Sequence, residues 1–257
     1  MTRQDQRARV VRILLIALTG VLLGLTAAQF AVVWRTSAEL GSIGEDFNFY
    51  VQLGRRWLET GVLYGDRQLT GAPYHVEINA DNLYPPPAIL LFVAFTFLPW
   101  FAWYVIPIGL VAYAILRLRP EVWTWPLLAM CVLWPRTLGS FVVGNSDLWS
   151  AGVVAAGVLW GWPSALGLFK PAFAPFALIG VTRKSWWIAV ALVAVGSLLF
   201  LPYWGQYITA ASNWDAPIWR SLLNTPILLI PVIAWAGRRR PASPYSRPMS
   251  NLLRDRA

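Results

Sequence analysis

Two ionisable residues in this sequence stand out, one opening a polar, acidic loop between apolar runs and one inside an apolar run. They are Asp46, in Gly44-Glu45-Asp46-Phe47-Asn48-Phe49-Tyr50, and Lys170, in Phe169-Lys170-Pro171. A carboxylate fixed beside an apolar surface can take a proton from an incoming hydroxyl and so act as a general base. Asp is also a preferred helix N-cap, and the two roles can coexist at the start of one helix. An uncompensated lysine near the centre of an apolar segment costs about 2.5–3.5 kcal/mol on insertion scales. Such a lysine snorkels to an interface, pairs with an acid such as Asp147, or faces an internal cavity as the cation for a bound anion.

Around these two lie weaker candidates. Arg55, Arg56 and Arg67 can each pair with a phosphate or simply face solvent and lipid headgroups. His75, the only histidine, sits in Pro73-Tyr74-His75-Val76-Glu77 as surface decoration or as a second proton-transfer group. One histidine and one cysteine cannot build the usual transition-metal sites, so no metal cofactor is indicated. The loop acids could hold a hard divalent cation, but their spacing forms no recognisable site. No Gly-rich phosphate-cradling loop is present, which argues against a nucleotide site.

The elements that must position these residues are apolar and long. The chain is 57% hydrophobic and only 13% charged, against roughly 25% charged in soluble domains, and its mean hydropathy is +0.53. Residues 13–34 carry no charge; as a helix they would extend about 33 Å, enough for a hydrocarbon core. The run is too long for a typical signal peptide and reads as an uncleaved first helix. The net charge of +9 does not point to nucleic acid, because it concentrates at the ends. Arg3, Arg7, Arg9 and Arg12 precede the first helix, and Arg238, Arg239, Arg240, Arg247, Arg254 and Arg256 fill the last twenty residues. Basic ends beside apolar segments are expected on the cytoplasmic side, against anionic headgroups. The loop at 35–85 instead carries seven acids against four arginines, and is expected on the opposite side. Cys131 is the only cysteine and reads as a small buried hydrophobe.

The expected architecture is therefore all-α: a polytopic transmembrane bundle forming one domain over residues 1–237, followed by a basic disordered tail at 238–257. Apolar segments at 86–99, 102–117, 121–134, 141–161, 163–181, 185–203 and 223–237 join the first helix to give eight crossings. A six-crossing alternative makes 86–117 one broken span and leaves 121–134 in the interface. Both place the two termini inside and the long loop outside. Within that loop Phe47, Tyr50, Val51, Trp57 and Leu58 recur at helical spacing, which predicts an amphipathic helix on the outer leaflet with Asp46 at its head. In the eight-crossing arrangement Asn145 and Asp147 fall near the inner leaflet, away from Asp46. Trp34, Trp57, Trp100, Trp103, Trp134, Trp160, Trp162, Trp186, Trp187 and Trp204 lie near segment ends, as interfacial belts do; a few could instead stack on a sugar ring.

Four features occur in order: a first helix; a loop with Asp46-Phe47-x-x-Tyr50 and Leu63-Tyr64; Tyr84-Pro85-Pro86 at the re-entry; and Phe169-Lys170-Pro171 beside a basic turn. In this the chain resembles the C-type integral-membrane glycosyltransferases, in particular glycosyltransferase family 87, over roughly residues 12–190. The resemblance implies a bacterial plasma-membrane enzyme of the cell envelope. It would move a sugar, mannose in the family, from a polyprenyl-phosphate donor to a hydroxyl of a glycolipid, polysaccharide or protein. It also implies that Asp46 is the base of an inverting displacement on the extracytoplasmic face. Gly144-Asn145-Ser146-Asp147 stands where many relatives have Gly-Gln-x-Asn. The expected substrate-binding set is Tyr50, Arg55, Arg56, His75, Tyr84, Asn145, Asp147 and Lys170. A transporter or flippase, or a non-catalytic scaffold derived from the enzyme, are the alternatives.

Overall fold

The computed structural model describes residues 2–71, 81–214 and 222–239. These residues are all-helical, and the only extended pairing among them is an isolated bridge between Pro120 and Arg238. Helix α1, Arg3–Glu39, starts from a capping box in which Thr2 and Asp5 satisfy each other's backbone donors. Its half-buried positions Leu15, Thr19, Leu22, Gln29 and Val33, with buried Thr26 between them, recur every three or four residues. That stripe is the face available to its neighbours α6 (Trp125–Leu133) and α7 (Pro135–Val143).

Among the described residues, by length and composition α1 alone could cross a membrane unbroken; counting each sharply bent helix pair as one span raises the number to four. The pairs are Pro86–Phe97 with α5 (Ala102–Leu118), bent by 115°, Val122–Leu133 with α7, bent by 59°, and α10 (Lys184–Leu198) with α11 (Leu201–Ser212), bent by 92°. A 115° bend turns the chain partly back on itself. Residues 86–117 thus form a sharply broken pair, which counts either as the one broken span of the six-crossing arrangement or as a re-entrant turn. Two other expected spans are also interrupted. The run 141–161 breaks between α7 and α8 (Asp147–Trp160), and 163–181 is a series of short 3₁₀ and α turns, Trp162–Phe169, Pro171–Phe173, α9 (Ala174–Ala177) and Leu178–Gly180.

Helix α8 is the centre of the molecule. Leu148, Ala151, Gly152, Val154, Ala155, Ala156, Gly157 and Val158 are all buried, which leaves little of its circumference exposed. It packs on α5, on the 3₁₀ segment Trp162–Phe169, and on the last described helix, α12 (Thr225–Ala236). A helix apolar on every side belongs in a core, and α8 occupies one.

The amphipathic helix expected after Asp46 is α2, Glu45–Thr60, followed by the single turn α3, Asp66–Leu69. The apolar face of α2 does not lie open for lipid. Phe49, Tyr50 and Leu53 are buried in one cluster with Phe92 and Phe95 of α4 (Ile89–Phe97) and Trp103 of α5. Gly54 permits this close crossing, since a β-carbon there would stand 3.0 Å from the Phe92 and Val93 backbone. Trp103 is fully buried, so it is a core residue and not part of an interfacial belt; Trp186 is also buried. Trp34, Trp100, Trp134, Trp160, Trp162 and Trp187 are exposed, as a belt requires. Of the basic tail, only Arg238 and Arg239 fall within the described residues.

Candidate active site at the α7–α8 break

The site begins with a glycine. Gly144 ends α7 at φ 75°, a left-handed conformation that stops the helix, and α8 restarts at Asp147. Asn145 and Ser146 thereby lie between the two helices, in the middle of an apolar run. Three contacts fix the break. The Trp103 indole N–H donates to the Gly144 carbonyl (2.8 Å), the Gly44 N–H donates to the Val142 carbonyl (2.9 Å), and the Asp147 N–H donates to Asn145 Oδ1 (2.9 Å).

The Gly44 contact carries Asp46 to the break. Gly44, at φ 69°, is the N-cap of α2, and Asp46 lies inside the first turn; the expectation of Asp46 as N-cap is corrected. An N-cap side chain turns back to its own helix, whereas the Asp46 carboxylate turns away and accepts from Asn145 Nδ2 at 2.5 Å. Asp46 is only 8% exposed. Burial pushes its pKa from 3.8 up to about 6; Asn145 pulls it down, Asp147 and Glu45 push it up, and Lys170 pulls it down. Asn145 and Asp147 are thus beside Asp46, whereas the eight-crossing arrangement sets them away from it. The cause is the break itself, which the eight-crossing arrangement treats as the interior of one span.

On the other side of the break, Tyr50 and Tyr84 share a hydrogen bond between hydroxyls (3.0 Å), and Tyr84 shares another with Ser146 Oγ (2.6 Å). Burial, then the neighbouring Tyr84, raises the Tyr50 pKa well above its ordinary value, so this phenol keeps its proton. The loop is fastened so that Tyr84 arrives correctly. The Gln68 amide donates to the Asn82 carbonyl (3.0 Å), the Asn82 amide to the Leu63 carbonyl (3.4 Å), and the Tyr64 hydroxyl to the Tyr84 carbonyl (2.7 Å).

Lys170 reaches the same point from a third direction. It precedes Pro171, which disfavours helical backbone, and at φ −128°, ψ 92° it separates two 3₁₀ segments. Its ammonium donates to Asp147 Oδ1 and to Ser146 Oγ (3.1 Å), and lies 5.0 Å from the Phe173 ring centre and 5.5 Å from that of Tyr84. The second Asp147 oxygen accepts from Asn224 Nδ2 at 2.5 Å. Lys170 thus makes the expected ion pair with Asp147, and it also lines a cavity of about 420 Å³. Leu91, Phe92, Trp149, Val153 and Phe173 supply apolar wall; Tyr84, Ser146, Ser150 and Lys170 bring polar groups to it.

Of the expected set, then, Asp46, Tyr50, Tyr84, Asn145, Asp147 and Lys170 converge. Arg55 and Arg56 do not join them. Nine residues along α2, Arg55 faces away from Asp46 and is exposed; Arg56 is partly buried, with Nε and one Nη lacking hydrogen-bond partners. Arg67 is engaged by Asp81 at 2.6 Å. His75 lies outside the described residues. Two members of the cluster had escaped sequence reasoning. Ser146 lies inside the quoted Gly144–Asp147 element and a polar residue in an apolar run was its signal; Asn224 carried none.

The arrangement can do two things at neighbouring points. A carboxylate whose pKa is raised to about 6 can accept a proton. A lysine and two hydroxyls, at the edge of an apolar cavity, can hold an anion whose remainder is greasy. Comparison with protein-family models, curated proteins and solved structures finds no match to this chain.

Proposed function

We propose that this protein is an integral-membrane glycosyltransferase that moves a sugar, mannose first among the candidates, from a polyprenyl-phosphate donor to an acceptor hydroxyl. The observation that carries the proposal is the placement of Asp46 and Lys170 on the two flanks of one helix break, the lysine facing an apolar cavity. The resemblance to glycosyltransferase family 87 supports the same reading. The donor's lipid lies in the cavity, and its phosphate meets Lys170, Ser146 and Tyr84. The acceptor oxygen attacks the anomeric carbon as its proton passes to Asp46. The bond from that carbon to the phosphate oxygen breaks, and the electron pair leaves with the lipid phosphate. A pKa of about 6 suits a base that must be ionised at neutral pH yet still bind a proton. Inversion needs no glycosyl-enzyme intermediate.

In this reading α1 crosses the bacterial plasma membrane with its arginine-rich start in the cytoplasm. The bent pairs and shorter apolar helices supply the other crossings, eight or six in all, and return the C-terminus to the cytoplasm. The site faces outward, where a glycolipid, polysaccharide or protein acceptor reaches it.

One observation favours a second reading. Discontinuous helices with ionisable residues at the break are how transporters build substrate sites, and α7–α8 has that form. The experiment is to supply proteoliposomes with labelled polyprenyl-phosphate mannose and membrane acceptors. Label appearing covalently on an acceptor supports the transferase. Label crossing the bilayer unchanged, with none transferred, replaces it with the transporter.

A further inference from the structure

We infer that Asp147 is a built-in counter-ion that makes the Lys170 end of the cavity select a singly charged phosphodiester headgroup over a doubly charged phosphomonoester. The inference rests on the proposed role of Lys170 as the phosphate-binding cation and adds what its buried partner does. A lysine ammonium has three donors. One goes to Asp147 and one to Ser146, which leaves one for a ligand in the cavity. Asp147 has no exposed surface, and its two oxygens are taken by Lys170 and Asn224. It also heads α8, where the helix dipole favours negative charge. Asp147 is therefore no ligand group of its own; it stays as a fixed anion within the shell of the one cation.

Among the described residues that line the cavity, Lys170 is the only charged one. The Lys170–Asp147 pair is neutral as a unit. A phosphodiester brings one charge, which the ammonium's third donor and the one hydroxyl proton left free in the Tyr50–Tyr84–Ser146 chain can share. A monoester at pH 8 carries nearly two, because its second ionisation lies near pH 6. The extra charge meets Asp147 with no further cation to offset it, in surroundings where unpaired charge is costly. Sugar transfer converts a lipid phosphodiester into a lipid monoester. Asp147 thus holds the substrate form and weakens the hold on the product form, without touching either.

The test is titration calorimetry at pH 8 on the full chain in uncharged maltoside detergent, with methyl dodecyl phosphate, dodecyl phosphate and dodecanol as probes. Wild type is expected to bind the diester at least about tenfold more tightly than the monoester. Asp147→Asn is expected to erase that ratio by tightening the monoester. Ser146→Ala, which removes a neutral partner of the same ammonium, is expected to weaken both phosphates alike. Wild type binding the monoester as tightly as the diester overturns the inference without recourse to any variant. So does an unchanged ratio in Asp147→Asn. If neither phosphate outbinds dodecanol, Lys170 is not a phosphate-binding cation, and the proposed donor site falls together with the inference.

Discussion

The side-chain amide of Asn145 donates to the Asp46 carboxylate across 2.5 Å, although 99 positions separate the two residues. This contact ties the first turn of α2 to the break between α7 and α8. It also opposes the burial that raises the Asp46 pKa to about 6.

Asn145→Leu removes that opposing hydrogen bond while keeping the side chain's bulk. The Asp46 pKa is expected to rise further. The acid limb of the transfer rate, which follows ionisation of the base, moves to higher pH, and activity is largely regained above the new pKa. A pH profile of kcat/KM checks this. An unmoved limb with uniformly lower activity would make Asn145 a packing residue only.

Asp46 itself is expected to cost the protein stability. Its folded pKa, about 6, lies above the ordinary 3.8. Between those values the folded chain holds a proton that the unfolded chain has released. The contribution of Asp46 to stability is therefore greatest below pH 3.8 and is lost as pH rises toward 6. Asp46→Asn, which cannot ionise, should be the more stable form at pH 8 by up to about 3 kcal/mol. The advantage should fade as pH approaches 4. Thermal unfolding in detergent at several pH values measures it.

Gly144→Ala and Gly41→Ala separate backbone strain from steric conflict. Both glycines have positive φ, 75° and 69°. A β-carbon at Gly41 meets nothing within 4 Å, whereas one at Gly144 falls 2.6 Å from the Tyr104 hydroxyl and 2.9 Å from Phe47 Cβ. Gly41→Ala should cost about 1 kcal/mol, the ordinary penalty for a left-handed alanine. Gly144→Ala should cost more, and it should reduce transfer as well because Asn145 is the next residue. Unfolding midpoints and activity of the two variants, compared directly, decide it.

Lys170→Met strands the Asp147 carboxylate without its cation in a fully buried position. Breaking a buried pair this way typically costs about 3–5 kcal/mol, whereas removing both charges costs far less. Lys170→Met/Asp147→Asn should therefore be more stable than Lys170→Met alone, while both lack donor binding. A double-mutant cycle on stability and on lipid-phosphate affinity reads the two effects separately.

The sequence made α2 legible because its apolar residues recur at helical spacing over four turns, and it made the Tyr84-Pro85-Pro86 turn legible through its prolines. Lys170 and Asp147 stood out as charges in apolar runs, and their pairing follows from the expense of leaving either alone. The start of α2 was misplaced because a left-handed glycine, Gly44, begins the helix two residues before Asp46. The site's centre was hidden for a different reason. Phe141-Val142-Val143 and Leu148-Trp149 read as one continuous apolar span, and only Gly144-Asn145-Ser146 between them marks a break. Trp103 looked like an interfacial residue because its burial depends on α2 packing over it. Asn224 reaches Asp147 through the packing of α12 on α8, which no local pattern records.

The decisive measurement is transfer of labelled mannose from a polyprenyl-phosphate donor by wild type and by Asp46→Asn, each shown to be folded and membrane-inserted. Wild type is expected to label acceptor, and Asp46→Asn to lose that transfer by a factor of about 10²–10⁴ while still binding donor lipid. Transfer by Asp46→Asn at the wild-type rate would contradict the assignment of Asp46 as the base.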